Sequence, residues 1–232
     1  FNESLTYTVA KTSGRRFGYL HDTSIFGVKG SVFIPDREIW TALSYTNSHL
    51  FTYLMIAQTV ERNWKRKQVA KIPWHRSLES SEVIKETAQE AVGKIISKRQ
   101  FDFISPHYTG PILLSVLGVR ESLTTHVNHP HRELRDKLAL VEPYKIATQS
   151  QSIEELGTTA ARHLEYIESE LQSRAEEIDE AVFDCFDITD EERETILQEI
   201  ALRTIEDPRE REEYDPESIT EPSKDFPEQV KD

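Results

Sequence analysis

The sequence contains a single cysteine, Cys185, so it has no internal disulfide. Such low cysteine usage is typical of a reducing cytoplasm, and we expect that location. The longest apolar run, Leu-Met-Ile-Ala, is far shorter than the ~18 to 20 apolar residues that cross a bilayer, so we predict no membrane contact. The chain lacks the pattern of a secretory signal and begins with Phe1, which we interpret as a piece cut from a longer protein.

Glycine is also scarce, and its spacing excludes the common nucleotide-binding loops. The eight glycines never lie closer than three residues apart, so neither G-x-G-x-x-G nor G-x-x-x-x-G-K-[ST] occurs. H-E-x-x-H, C-x-x-C and G-x-S-x-G are absent too, and no pair of acids is marked by spacing as a general acid and base. We therefore expect no catalytic residue and no cofactor in this chain, and a self-contained hydrolase is the least favoured class.

A group of histidines is the one pattern that resembles a metal site. His126, His129 and His131 have suitable spacing, but they form a turn before a helix and no fourth ligand lies nearby. A solvated turn is the favoured interpretation, and we predict no metal. His107 is likewise favoured as a packed or hydrogen-bonded histidine over a catalytic one.

Charge is divided unevenly along the chain. Residues 1–120 hold 16 Lys and Arg against 10 Asp and Glu, a net charge of +6, whereas residues 121–232 hold 12 against 31, a net charge of −19. This division predicts that the first region meets a polyanion, while the second stays solvated or docks on protein. A high-salt cytoplasm is an alternative source of the acidic excess.

The hydrophobic pattern predicts an α+β fold. Residues 4–34 carry β-branched and aromatic residues in short bursts separated by glycines, which is typical of short strands. Apolar residues then recur every three or four positions, which predicts helices. We place helices at residues 35–46, 48–55, 81–99, 131–141 and 151–186, and a last one from residue 189.

Three of these helices carry more specific signals. The helix at 81–99 is predicted to bury Ile84, Ala88, Ala91 and Ile95, and to end in the cations Lys98 and Arg99. The pattern at 151–186 predicts one helix of about nine turns. The sequence Thr-Asp-Glu-Glu at 189–192 predicts a capping box for the last helix.

We divide the chain into three regions. Residues 1–120 form a small strand-and-helix module, and residues 121–205 form a mainly helical bundle with one long helix. Within the first region, we expect residues 101–118 to form an irregular segment with two prolines, followed by a short buried run that returns to the core. Residues 206–232 form an acidic tail, which we predict to be disordered because it cannot bury enough apolar surface.

Two basic clusters in the first region are candidate DNA-binding sites. The basic segment, residues 62–71, supplies cations for phosphates and, with Trp64 inside it and Trp74 beyond its end, flat rings for bases. The basic turn, residues 11–16, offers backbone amides and guanidinium groups. A solvated helix end and an exposed turn are equally compatible readings. The candidate DNA-binding residues are Lys11, Ser13, Arg15, Arg16, Lys29, Arg62, Trp64, Lys65, Arg66, Lys67 and Lys71.

Four stretches of the chain, taken in order, carry a resemblance to a known family. They are TSIFGVKGSVFIP at 23–35, ALSYTNSHLFTYLM at 42–55, VAKIPW at 69–74 and IDEAVFDCFDITDEERETI at 178–196. Together they resemble the C-terminal target-recognition region of large adenine-specific DNA methyltransferases, the type IIG restriction-modification and BREX phage-defence group. SIFGVKG lacks the family's usual acidic residue, and IPW replaces its fuller proline pair.

The resemblance implies a function in recognising double-stranded DNA for N6-adenine methylation in restriction-modification or phage defence. It implies that S-adenosylmethionine and the Asn/Asp-Pro-Pro-Tyr/Phe motif, which this chain lacks, belong to an upstream methyltransferase domain of the same parent chain. Double-stranded DNA and that domain are the expected partners. The alternative is a helical protein–protein interaction module with no DNA contact, in which the long acidic helix is a docking surface and the basic segment pairs with it.

Overall fold

The α+β fold expected from the sequence is confirmed by a computed structural model. The structure describes residues 2–8, 16–22, 24, 31–59, 64–105, 108, 112 and 152–204. Outside the described residues lie the helix predicted at 131–141, the four histidines considered above, and the tail at 206–232. Among the helices that the structure describes, none is both long enough and apolar enough to cross a membrane.

A three-stranded antiparallel sheet forms near the N-terminus, as the short apolar bursts predict. Its strands are β1 (Ser4–Tyr7), β2 (Phe17–Leu20) and β3 (Ser31–Phe33), in the order β2-β1-β3. Leu5 lies opposite both Tyr19 and Phe33. Because side chains alternate along a strand, Leu5 and Tyr7 lie on the same face, and both are buried.

The helices follow the sheet. They are α1 (Ile39–Thr46), α2 (His49–Gln58), α3 (Arg66–Val69), α4 (Ser77–Ser80), α5 (Glu82–Arg99), α6 (Ile153–Cys185) and α7 (Asp190–Thr204). The predicted cap at Ser48 is confirmed, because its Oγ accepts a hydrogen bond from the backbone N–H of Phe51 at 3.2 Å. Since α2 ends at Gln58, the basic residues beyond Trp64 do not continue this apolar helix. They begin a separate short one.

The described residues group into two compact units. The first unit contains residues up to 85 together with residues from 177 onward, and the second contains residues 86–176. Helices α5 and α6 each contribute residues to both units. The boundary predicted at residue 120 lies outside the described residues and stays a prediction.

Asn47 fixes the start of β2 against the end of α1. Its Oδ1 accepts a hydrogen bond from the Phe17 backbone N–H at 3.0 Å, and its Nδ2 donates to the Phe17 carbonyl oxygen at 3.0 Å. In the sheet as described, β2 has only β1 as a neighbouring strand. The Asn47 amide therefore satisfies backbone groups that an edge strand would otherwise leave open.

Tyr45 occupies the centre of an aromatic cluster in the first unit. Its buried ring stacks on Phe186 at a centroid distance of 5.4 Å and meets Phe51 and Trp74 edge to face at 5.3 and 5.7 Å. Its hydroxyl donates a hydrogen bond to the Pro73 carbonyl oxygen at 2.6 Å. The ring thus holds α1, α2, the 73–74 stretch and the turn after α6 together.

A buried carboxylate connects the first residue of α2 to α6. Asp179 is 6% exposed, and its Oδ1 accepts a hydrogen bond from the His49 backbone N–H at 2.7 Å. Its Oδ2 lies 2.7 Å from His49 Nδ1. A negative charge at the N-terminus of a helix is also favoured by the helix dipole. Helix α7 packs against the same helix α2.

In the second unit, α5 and α6 are joined by ion pairs. Lys94, Lys98 and Arg174 lie 3.0, 2.6 and 2.9 Å from the carboxylates of Glu170, Glu168 and Glu90, respectively. Lys98 and Arg99 occupy the last turn of α5, as predicted.

One inward-facing position predicted for α5 is wrong. Ile95 is exposed, and the neighbouring Ile96 is buried instead. The reason is that the buried side of α5 turns along the helix: Ile84, Thr87 and Ala88 are buried in its first half, whereas Ile96 and Ser97 are buried in its second half. In the irregular stretch after α5, Phe103 is 80% exposed and Ile104 is 74% exposed. The apolar run that is predicted to return to the core lies almost wholly outside the described residues and stays a prediction.

The turn from α6 to α7 follows its sequence signals. The predicted nine-turn helix is confirmed as α6, and the capping box is confirmed by reciprocal bonds between Thr189 and Glu192. Asp187 adopts a left-handed backbone conformation with φ 54°, and the N–H of Ile188 donates to the carbonyl oxygen of Phe183 at 3.1 Å. Arg193 pairs with Glu180 and Asp184 across this turn.

Candidate nucleic-acid interface

The two basic clusters, which are far apart in sequence, meet through Arg16 and Trp64. The guanidinium carbon of Arg16 lies 3.9 Å from the centroid of the Trp64 ring, a distance typical of a cation–π contact. Arg16 is the last residue of the basic turn, and Trp64 directly precedes Lys65. The structure therefore places the described end of one cluster beside the described start of the other.

Packing beneath the two residues explains why they meet. Phe17, the neighbour of Arg16, has its backbone held by Asn47. The Phe17 ring stacks on Tyr7 at 4.9 Å and contacts the Trp64 ring at 6.4 Å, while Phe51 lies 6.0 Å from Trp64. The position of Arg16 is thus set by the strand, and that of Trp64 by the aromatic core.

Trp64 is a core residue, which corrects the role expected for it. The sequence interpretation assigned its ring to stacking on bases, but the side chain is only 2% exposed. One ring face is covered by Arg16, and the ring also contacts Phe17 and Phe51. A ring enclosed in this way has no open face for a base.

Arg16 is partly buried and remains positively charged. Loss of hydration on burial lowers the pKa of its guanidinium to about 10, which is still well above neutral pH. The side chain is nevertheless only partly covered, so solvent reaches some of it. It is a cation held at the boundary between core and surface.

The described cations of the basic segment lie on the outside of α3 and the turn after it. Lys65, Arg66, Lys67 and Lys71 are all exposed, whereas Val69 is buried and holds α3 against the first unit. The Lys65 backbone N–H donates to the Gln68 side-chain oxygen at 3.0 Å, which orders the first turn. None of these four cations forms an ion pair with a carboxylate of residues 31–59, 64–105 or 152–204.

Several cations outside the basic segment do form ion pairs. Lys94, Lys98 and Arg174 pair with carboxylates of α5 and α6, and Arg193 and Arg37 pair with Glu180 and Glu79. The ion pairs described for these helices therefore use cations outside the basic segment. A polyanion is attracted most strongly by cations that are exposed and not already neutralised by carboxylates.

Two further residues, Trp74 and Arg76, follow the basic segment in sequence. Arg76 is exposed, and Trp74 is half-buried, with its Nε1 donating to Glu79 at 3.1 Å. Neither is in the list of candidate DNA-binding residues, although the sequence pattern offers the Trp74 ring for bases. Only the exposure of each side chain distinguishes a surface ring such as Trp74 from the buried Trp64.

The remaining predicted site residues lie outside the described residues. They are Lys11, Ser13, Arg15, Lys29 and Arg62. Within the described ranges, no group of three His, Cys, Asp or Glu side chains is arranged to hold a metal ion. Burial and the nearby Asp184 and Asp187 raise the pKa of the Cys185 thiol, which disfavours a reactive thiolate.

Comparisons of the chain with known protein families, with curated proteins and with solved structures give no match.

Proposed function

We propose that this chain binds double-stranded DNA as the target-recognition part of an N6-adenine-specific DNA methyltransferase. The observation that carries the proposal is the set of exposed cations on and after α3, which have no carboxylate partner among the described residues and begin directly after Trp64, the ring that Arg16 contacts. In this proposal S-adenosylmethionine and the catalytic motif belong to an upstream domain of the parent chain. The resemblance of four sequence stretches supports the methyltransferase assignment.

The chemistry of the surface fits phosphate contacts. Lysine and arginine side chains that meet phosphates release condensed counterions, which makes binding strong at low salt and weak at high salt. Such contacts fix the position of a protein on the duplex, whereas sequence is read by contacts with base edges. We therefore assign Lys65, Arg66, Lys67 and Lys71 to backbone contacts and assign no base contact.

A protein–protein interaction module is the second candidate function. Its support is the adjacent pair Phe103 and Ile104, which are large apolar side chains left exposed after α5. Apolar side chains of this kind are often covered by a protein partner. In this candidate function the chain would not bind DNA.

The joint change of Lys65, Arg66 and Lys67 to alanine tests the DNA-binding proposal. We expect the 232-residue chain to bind a duplex roughly 10- to 100-fold more weakly at low salt, because three phosphate contacts are lost. The slope of log affinity against log salt concentration should fall by about 2 to 3, since each contact contributes about 0.9. Fluorescence anisotropy of a labelled duplex over a range of potassium chloride concentrations measures both quantities.

A second triple variant controls for net charge. Changing Lys85, Lys98 and Arg99 to alanine also removes three positive charges, this time from α5. Each of these cations is in an exposed ion pair that contributes little to stability. We expect the salt slope of this variant to differ from that of the unmodified chain by no more than about 1, the contribution of a single phosphate contact. Equal losses in the two triple variants would show a general charge effect and contradict the proposed surface. Absence of duplex binding by the unmodified chain would favour the interaction module.

A further inference from the structure

Trp74 differs from the other two tryptophans of the chain in its exposure. Trp40 and Trp64 are core side chains, 8% and 2% exposed, whereas Trp74 is only half-buried. In sequence it stands between Lys71 and Arg76, which are exposed and form no ion pair with a described carboxylate. An aromatic side chain between such cations suits a nucleotide, because phosphates pair with cations and bases stack on rings.

Sequence spacing keeps these groups within reach of one DNA strand. Lys71 and Arg76 are three and two residues from Trp74, so their Cα atoms lie within about 11 and 8 Å of its Cα atom. One strand of a duplex carries a phosphate about every 3.4 Å along its axis. The ring at position 74 therefore lies no more than a few nucleotides from a phosphate that Lys71 or Arg76 contacts.

The Trp74 indole is held on two sides before any ligand binds. Its Nε1 donates to Glu79 Oε1 at 3.1 Å, and its ring meets the Tyr45 ring edge to face at 5.7 Å. The preceding residue, Pro73, is held as well, because its carbonyl oxygen accepts from the Tyr45 hydroxyl at 2.6 Å. A side chain that is already ordered loses less entropy when a partner packs on it.

The bond to Glu79 also limits what the ring can recognise. Because the one donor of the indole is used, Trp74 offers a partner a flat apolar surface and no hydrogen bond. The matching flat surface of a nucleotide is the face of its base, which neighbouring bases cover in a continuous duplex. Only an unstacked base presents that face. Arg37 pairs with the same Glu79 oxygen at 2.8 Å, so this carboxylate is already neutralised.

We infer that Trp74 is a contact residue for an unstacked DNA base, which packs on the indole while Lys71 and Arg76 contact phosphates of the same strand. This inference rests on the proposed DNA binding and extends it beyond backbone contacts. Stacking on an aromatic ring tolerates every base, so the contact recognises a locally unstacked duplex and not a particular sequence.

Three duplexes of the same sequence test the inference with the full 232-residue chain. One is continuous, one carries an extra unpaired adenine, and one has an abasic residue in place of that adenine. The last two have the same phosphates and differ only in the base. We expect the unmodified chain to bind the unpaired-adenine duplex roughly fivefold to tenfold more tightly than the abasic duplex, because only the former offers a base for stacking. Fluorescence anisotropy measures the three affinities.

Trp74→Leu and Arg76→Gln separate stacking from charge. Trp74→Leu keeps an apolar side chain and removes the ring, so we expect it to abolish the preference for the unpaired adenine with an unchanged salt slope. Arg76→Gln removes a charge and keeps the ring. We expect it to weaken binding of all three duplexes by a similar factor and to lower the salt slope by about one, while the preference remains. A preference that persists in Trp74→Leu would overturn the inference.

Tryptophan fluorescence of the unmodified chain gives a readout that needs no variant. Because Trp40 and Trp64 are buried, acrylamide quenches mainly the emission of Trp74. We expect the unpaired-adenine duplex to shield Trp74 from acrylamide more than the abasic duplex does. Equal shielding by the two duplexes would contradict the inference, since the ring would then be covered without a base. If Trp74→Leu does not fold by circular dichroism, this measurement decides alone.

The outcomes separate this inference from the proposed function. If the unmodified chain binds the three duplexes equally well and the Lys65, Arg66 and Lys67 triple variant binds all of them more weakly, the inference fails and the DNA-binding proposal stands. If the unmodified chain binds none of the duplexes, both fail.

Discussion

Replacement of Asp179 by alanine is expected to lower the free energy of unfolding of the first unit by about 3–5 kcal/mol. Asp179 is buried and accepts from both the backbone N–H and the Nδ1 of His49, each at 2.7 Å. Alanine removes both acceptors from an enclosed site and leaves the start of α2 without its carboxylate. Urea unfolding monitored by tryptophan fluorescence measures the change. All three tryptophans lie in the first unit, so the signal reports on it.

Asp179→Asn and Glu168→Gln are matched comparisons for this prediction. Asparagine keeps the shape and one acceptor oxygen, so we expect a smaller loss of about 1–3 kcal/mol. Glu168→Gln removes the charge of an exposed carboxylate that pairs with Lys98, and we expect a loss below about 1 kcal/mol by circular dichroism. A loss for Asp179→Ala as small as that for Glu168→Gln would show that the buried carboxylate does not hold α2 to α6.

Replacement of Tyr45 by alanine is expected to lower the free energy of unfolding by about 3–5 kcal/mol, because it opens a cavity in the aromatic cluster. The ring touches Phe51, Trp74 and Phe186, and these contacts are lost together. Tyr45→Phe keeps the ring and removes only the hydroxyl that donates to the Pro73 carbonyl. We expect this variant to lose about 1–2 kcal/mol. The same urea titration checks both values, and equal losses in the two variants would contradict the assigned role of the ring.

The pH dependence of stability gives Tyr45 a second test. Burial raises the pKa of its hydroxyl above the ordinary tyrosine value. In the unfolded chain the hydroxyl loses its proton near pH 10, at a lower pH than in the folded chain. The unfolded state then binds fewer protons, so stability falls as pH rises above about 10, by up to about 1.4 kcal/mol per pH unit for this group. Tyr45→Phe should show a shallower fall than the unmodified chain.

Tyr19 accounts for part of the alkaline fall that remains in Tyr45→Phe. Burial, followed by the hydrogen bond to Glu3 at 2.6 Å, raises the pKa of its hydroxyl as well. The profiles of unfolding free energy against pH for Tyr45→Phe and for the unmodified chain should therefore be parallel below about pH 9 and diverge above it. Parallel profiles over the whole range would mean that Tyr45 titrates alike in the folded and unfolded chains.

Local spacing was enough to predict much of the secondary structure. The step of three and four residues predicted α6, and the Thr-Asp-Glu-Glu sequence predicted the start of α7. Both signals depend on residues within one or two turns of each other, so they can be read without knowing the rest of the fold. The wrong choice between Ile95 and Ile96 marks the limit of this reading. Ile95 fits the stripe of Ile84 and Ala88, but the buried side of α5 turns along the helix, and tertiary contacts rather than local spacing decide that.

The candidate site depended on contacts that local spacing does not encode. A tryptophan inside a basic segment has the same sequence signature whether its ring faces a ligand or the core. For Trp64 the outcome was decided by Phe17, which is distant in sequence, and by Phe51 on α2. The bonds of Asn47 to Phe17 and of Asp179 to His49 span 30 and 130 residues, respectively. Neither pair could be matched without the folded chain.

The discontinuous make-up of the first unit has a consequence for how the protein is synthesised. Helix α7 packs against α2, and Asp179 holds the start of the same helix, so the N-terminal half of this unit is completed by residues that leave the ribosome more than a hundred residues later. Contacts across such sequence distances are slow to form. The side of α2 that α7 covers in the folded chain stays exposed while more than a hundred residues are added. During that interval it is a target for chaperones.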